Sequence, residues 1–441
     1  PRSLTSPSMS SRGDAVVRGR DSLSGLLAGG LLAAVCLLFC QAVYGQAGSC
    51  APERQVGAVG LDEQTWNRLN AIHEDVDAER FNRAHGELRH MLDRAGSDRY
   101  LQAVLNQALG QVEWARAHYD SALGYIESAV ELDALPDQAH FALMLQLAQL
   151  YYMQGRLDDA LQRLDLWFCA VSGEQVTAAA HVLKAYIHLQ QGHFPSALAA
   201  IDSAIVMDGS PQESWYQVKL AAHYELEQYP QAARTLEQLI ERWPDNRLYW
   251  VQLSQVHYRL GHDEHALSVL ALAYRRGLLD QQADLTFLSG LYRQSGIPFK
   301  AAEVLEQGIR DGIVAPEERH WTLVAEAWYA AKELERSLAA YTEVVKVAAD
   351  GLIDLRRGYI LVDLERWPAA LEALDRAFEK GGLDDRQLGE AHLLRGLARF
   401  KLGDFDGAGS DWGRAGRYEQ SSEAAAQWID YLRVERERRA S

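Results

Sequence analysis

An alanine-centred pattern returns every 33–38 residues along the chain after roughly the first 60 residues. Its anchors are Ala84, Ala122, Ala160, Ala197, Ala232, Ala266, Ala301, Ser337, Ala370 and Ala408. A period of about 34 residues marks a helical repeat array, in which each unit buries an apolar face against its neighbours. Such an array grows in one dimension, so 441 residues do not require a single core or several compact domains. Arrays of this kind hold or bridge other molecules, and function is therefore sought first on a surface.

Composition narrows the field. Hydrophobic residues make up 48 % and aromatics 9 % of the chain, enough apolar surface to exclude wholesale disorder. The net charge of −17 repels phosphates, which argues against nucleic acid or anionic lipid as a partner.

The N-terminus reads differently from the rest. Arg12, Arg18 and Arg20 precede an apolar run from Gly25 to Cys40, followed by small residues around Gly45 and Ala47. That order predicts a secretory signal peptide over 1–47, with Met9 as an alternative start and cleavage near Gly45 or Ala47. The run falls short of the roughly 20 residues that span a bilayer comfortably, although an uncleaved anchor is the alternative. Residues 48–64 lack periodicity and read as a tail. Export leaves Cys50 and Cys169 in the mature chain, and two thiols in an oxidising compartment predict one disulfide. Two unrelated thiols, or lipidation of Cys50, are the competing readings.

Repeat six shows the pattern most clearly, from Trp250 to Gly277. Trp250, Leu253, His257 and Tyr258 share one side of a first helix, Gly261 supplies the turn, and Ala266 sits where the second helix crosses the first. Pro195, Pro230, Pro298 and Pro368 all fall at the start of a second helix, where a missing N–H costs nothing. Trp-x-x-Leu, then Tyr, then Gly, then Ala resembles the tetratricopeptide repeat over residues 65–416. The resemblance implies an all-α, right-handed α-solenoid of about ten helix-turn-helix repeats. Residues 417–441, with Trp428, Tyr431 and Leu432, then supply a capping helix.

No catalytic signature accompanies the repeats. There is no HExxH, CxxC, GxSxG or phosphate-binding loop, so no enzyme, cofactor or metal site is expected. His262 and His265 occupy a turn where polar residues belong, and His85 and His90 are five apart, the wrong spacing for one helical face.

In tetratricopeptide arrays, positions 2, 5, 9, 12 and 13 of the first helix line the inner groove. Position 12 here carries Trp114, Tyr152, Tyr224, Tyr258, Tyr329 and Phe400, and position 9 adds Tyr186 and Tyr359. An aromatic stripe suits an extended or helical peptide, while packing between repeats accounts for the same spacing. The Lys and Asn with which some family members clamp a carboxylate are absent: positions 5 and 9 hold Val182 and Tyr186, Val251 and Gln255, and Leu393 and Leu397.

The stretches Glu213–Gly261 and Ser295–Ile309 are similar to tetratricopeptide proteins associated with TonB systems of Gram-negative bacteria. That resemblance implies a non-enzymatic periplasmic scaffold, an accessory of TonB-dependent outer-membrane transport. TonB, an ExbB/ExbD-type motor component or an outer-membrane receptor would be its protein partner. A scaffold for outer-membrane assembly or polysaccharide export, and a membrane-anchored adaptor, fit the same features.

Overall fold

A computed structural model describes residues 54, 56, 60–171, 173–346 and 349–440. Among them are twenty-one α-helices and no strand, the architecture of an α-solenoid. The signal segment and Cys50 lie outside the described residues. Among those described, no helix is long and apolar enough to cross a membrane.

The chain divides into two compact units, one through Val176 and one from Thr177. The first holds three helix pairs: α1 (Glu63–Asp77) with α2 (Phe81–Arg94), α3 (Arg99–Ala115) with α4 (Tyr119–Glu131), and α5 (Asp137–Met153) with α6 (Leu157–Ala170). The second opens with α7 (Ala178–Gln190) and α8 (Phe194–Met207), α9 (Glu213–Glu225) and α10 (Tyr229–Arg242), and α11 (Arg247–Arg259) and α12 (Asp263–Arg275). It continues with α13 (Gln282–Gln294) and α14 (Pro298–Arg310), α15 (Glu318–Ala330) and α16 (Leu334–Val345), and α17 (Leu352–Asp363) and α18 (Trp367–Lys380). The last pair is α19 (Asp385–Lys401) and α20 (Phe405–Ala415), followed by α21 (Ser422–Ala440).

Each anchor residue is fully buried on a second helix, and the residue twelve positions earlier on the first helix faces it. In every repeat but one and five, which place Ile72 and Leu220 on the first helix, small side chains at both places let the backbones approach. A Cβ added to Gly110 would lie 2.5 Å from Ile126 Cγ1, and one added to Gly396 would lie 2.5 Å from Trp412 Nε1. Repeats six and seven use serine instead: Ser254 Oγ donates to the Ala266 carbonyl and Ser289 Oγ to that of Ala301, both at 2.8 Å. Repeat eight exchanges the partners, with Ser337 Oγ on the second helix donating to the Ala325 carbonyl at 2.7 Å. Ser337 thus keeps the close approach that alanine serves elsewhere, and satisfies its own hydroxyl.

The elbows share one backbone geometry. The residue five before every anchor has positive φ, from Glu79 in repeat one to Gly403 in repeat ten. The next N–H reaches back to a carbonyl five residues earlier, as in His262 N to His257 O at 2.9 Å, which closes a Schellman turn. Gly261 is the residue the motif favours. Repeats one, two, five, eight and nine place Glu79, Ala117, Glu227, Lys332 and Glu365 there instead, each at a steric cost of about 1 kcal/mol. All four prolines noted in the sequence occupy the first two positions of α8, α10, α14 and α18.

At the C-terminal end, α21 stacks Trp428 on Trp412 with ring centroids 5.2 Å apart and planes 18° apart. Its Leu432 joins the buried cluster of Ala408 and Trp412. At the other end, α1 starts at Glu63 behind an Asp62 cap that accepts from Thr65 N at 2.9 Å. Arg54 in the preceding tail is docked: it pairs with Asp133 at 2.6 Å and Asp137 at 2.7 Å, and donates to Leu135 O at 2.9 Å. Cys169, at the end of α6, is disulfide-bonded. The expectation that Cys50 is its partner falls outside the described residues.

Candidate docking groove

The eight rings of the aromatic stripe separate by exposure. Tyr258 is 44 % and Tyr329 36 % exposed, while the other six are half-buried. Trp114 meets Tyr119 edge to face at 5.4 Å. Tyr186 packs beside Ala185 and Ile201, and Tyr224 beside Tyr216 and Leu220, where burial pushes its hydroxyl pKa up. Phe400 contacts Phe405, Trp412 and Tyr431, with centroids 5.3–5.9 Å away. Tyr152 is half-buried on α5.

In the second unit the first helices line two depressions with aromatic walls, and a third, of about 650 Å³, adjoins the first at Arg319 and Leu323 and is bounded by Glu317, Glu318 and Thr322. The first, of about 660 Å³, is bounded by Tyr258 of α11, Phe287 and Gly290 of α13, and Leu323 of α15. Tyr258 and Phe287 stand edge to face, 5.7 Å apart. Arg293 and Arg319 also line it, and no Asp or Glu does. Its depth has a local cause. Groove positions of α13 are occupied by Ala283, Thr286 and Gly290, and a Cβ built on Gly290 meets nothing within 4 Å.

The second depression, of about 380 Å³, brings Tyr329 of α15 and Tyr359 of α17 together with Tyr341, Arg356, Arg386 and Glu390. Its charges are internally matched. Arg356 pairs with Glu326 and lies 3.3 Å from the Tyr341 hydroxyl, and Arg386 lies 3.6 Å from Glu390. The Tyr359 hydroxyl donates to Glu390 Oε2 at 2.6 Å, and the Tyr329 hydroxyl to Asp363 Oδ2 at 3.3 Å. Burial, reinforced by the neighbouring carboxylates, pushes both phenols above their ordinary value.

The histidines of repeat six do gather. His257, His262 and His265 have ring centroids 5.4–6.1 Å apart, yet no three ligating side chains among the described residues are placed to hold a metal ion. Burial, then the charges of His265 and His262, lowers the His257 pKa, while Glu237 opposes them. His85 lies 3.6 Å from the buried Glu113, and His90 is exposed.

A family model described as tetratricopeptide repeat matches residues 108–167, 221–278 and 355–425. The three matched stretches are tetratricopeptide repeats. No curated protein matches the chain, but solved structures do. A tetratricopeptide repeat protein from Parabacteroides merdae aligns over 58 % of this chain and 98 % of its own, at 13 % identity and TM-score 0.31. The APC/C hetero-tetramer Cut9–Hcn1 aligns over 83 % of each chain at 12 % identity and TM-score 0.29. MamA aligns over 39 % of this chain and 97 % of its own at 16 % identity and TM-score 0.33. Scores this low bear on neither partner nor activity.

Tetratricopeptide numbering also shows what the stripe left out. Position 12 of repeat seven is Arg293, where repeats six and eight carry Tyr258 and Tyr329. Position 9 of that repeat is Gly290. Both stand in the sequence as breaks in the stripe, and a search for aromatic rings passes over them. Phe287 and Arg319 were also missed, because their approach to Tyr258 depends on how neighbouring repeats stack.

Proposed function

We propose that this protein is a non-enzymatic scaffold that docks a peptide-like segment of a protein partner on the first-helix face of its second unit. One observation carries this reading: Tyr258 and Tyr329 are large rings left exposed beside preformed depressions, while the remaining rings of the stripe are half-buried. Rigid aromatics beside a concavity give contact area at small entropic cost. Tetratricopeptide proteins generally work as protein-binding scaffolds, and a repeat built from packed helix pairs leaves its face free for that task. The disulfide at Cys169 supports a location in an oxidising compartment such as the periplasm. The resemblance of Glu213–Gly261 and Ser295–Ile309 to TonB-associated proteins supports a place in energised outer-membrane transport, with TonB, a motor subunit or a receptor as the docked partner.

The test is photocrosslinking in intact cells from positions 258 and 329, followed by identification of the captured protein. Tyr258→Ala with Tyr329→Ala should weaken capture of that partner by about tenfold or more without changing far-UV circular dichroism. Undiminished capture by the double variant places docking elsewhere.

A further inference from the structure

The two depressions with aromatic walls differ in charge, and the difference defines an occupant. The larger one is lined by Arg293 and Arg319 and by no carboxylate, on a chain whose net charge is −17; Glu317 and Glu318 border only its Arg319 side, in the adjoining depression. Arg293 makes no ion pair with any described residue, and it is the charged member of a position-12 series otherwise filled by aromatic or aliphatic side chains. Arg319 pairs with Glu317 at 2.8 Å, but both side chains are more than half exposed. An exposed pair of this kind is worth about 0–1 kcal/mol, so an incoming carboxylate displaces Glu317 at little cost. The apolar part of the site is equally defined. Tyr258, Phe287 and Leu323 surround space kept open by Gly290, room for one large apolar side chain.

We infer that this depression binds an acidic peptide segment that inserts an aromatic or aliphatic anchor beside Tyr258 and Phe287 and presents carboxylates to Arg293 and Arg319. The inference rests on the docking reading above and adds the chemistry of the docked segment. The acidity of the rest of the chain sharpens the selection. Its field is screened beyond about 8 Å at physiological ionic strength, so an acidic segment is held only where the guanidinium groups are in direct reach. Arginine suits this task, because its planar fork engages a carboxylate with two parallel N–H bonds. A basic segment gains from the overall field but meets two like charges at the anchor site.

The experiment uses the full chain and three short synthetic peptides that share a central Leu-Trp pair. The flanking positions are Glu and Ser in one, Gln and Ser in the second, and Lys and Ser in the third. Fluorescence anisotropy should give the Glu peptide the tightest binding, by about tenfold over the Gln peptide. Arg293→Gln with Arg319→Gln should erase that preference, and Arg293→Glu with Arg319→Glu should transfer it to the Lys peptide. Gly290→Trp, whose first side-chain atom meets open space, should abolish binding of all three with helical circular dichroism intact. Equal binding of the three peptides that still depends on Tyr258 and Tyr329 overturns the acidic assignment and leaves the docking reading standing. A preference for the Lys peptide in the unaltered chain also overturns it. Binding of none of them also overturns the acidic assignment, and the docking reading then rests on the crosslinking from positions 258 and 329.

Discussion

Repeats six and seven close their helix pairs with neutral hydroxyls, from Ser254 and Ser289, and their buried carboxylate, Asp284, is paired across repeats with Arg247, whereas repeats nine and ten bury charge inside the helix pair itself. Asp354, with no exposed surface, is approached by Lys380 at 2.9 Å and by Arg357 and Arg376 at 3.3 Å. Asp411 is equally buried and holds Arg395 at 2.6 Å, Arg399 at 2.9 Å and His392 at 3.1 Å. The same divide runs through the groove. The depression beside repeats six to eight shows arginines with weak or no partners, and the one beside repeats eight to ten matches each arginine to a glutamate. Charges satisfied within the array have little left for a ligand. Identical helix pairing therefore supports two surfaces with different capacities, set by where the sequence spends its ions.

The largest effect that would break this contrast is at Asp411. Asp411→Ala leaves Arg395, Arg399 and His392 around an empty site and should destabilise the C-terminal repeats by about 3–5 kcal/mol. Ser289→Ala removes one neutral hydrogen bond and should cost about 1 kcal/mol. Urea unfolding of both variants checks the ranking, and equal costs would dissolve the distinction between the two cores.

Acid should separate the regions in the opposite order. Burial lowers the His257 pKa from its ordinary 6.5, so the unfolded state takes up the proton first. The stability this histidine contributes is present above pH 6.5 and declines as pH falls below it. Burial raises the Asp411 pKa, but hydrogen bonds from His392 and Arg395 and the charges of Arg395 and Arg399 outweigh that, holding it below 3.8. Its contribution is intact above that value and is lost as pH falls through the lower folded-state value. Amide hydrogen exchange followed by mass spectrometry should show α11 and α12 loosening in mildly acidic solution. The α19–α20 pair should hold until below about pH 4.

The smallest expected effect lies in the elbows. Lys332→Gly and Glu365→Gly relieve left-handed strain and should each stabilise by about 0.5–1 kcal/mol, and Gly261→Ala should destabilise by a similar amount. Thermal melts of the three variants decide it. A loss on introducing glycine at 332 would mean that the lysine there repays its backbone cost, for which its approach to the Tyr329 ring at 5.6 Å is the available source.

Much of the fold is legible from residues close together in sequence. The alanine register located every second helix, and the prolines confirmed the register because only the first turn of a helix tolerates them without losing a hydrogen bond. The shared elbow was legible only in part. Gly261 announces the left-handed turn, but Ala117 and Glu365 adopt it with no local signal, because the pairing of two helices compels it. The groove was the least legible. Its stripe could be written down from position 12, yet the same spacing covers half-buried Tyr224 and exposed Tyr258.

By itself, then, the sequence determined the period, the helix pairs, the close-packed positions and the absence of known catalytic motifs, since each follows from contacts within one repeat. Tertiary structure decided which rings face solvent, which arginines stay available and which carboxylates are buried. The exposure of the rings depends on partners about one repeat away, such as Tyr329 with Asp363 and Tyr359 with Glu390. Such pairs form only when neighbouring repeats stack, and the stacking is set by side-chain volume and crossing geometry that the linear pattern does not carry.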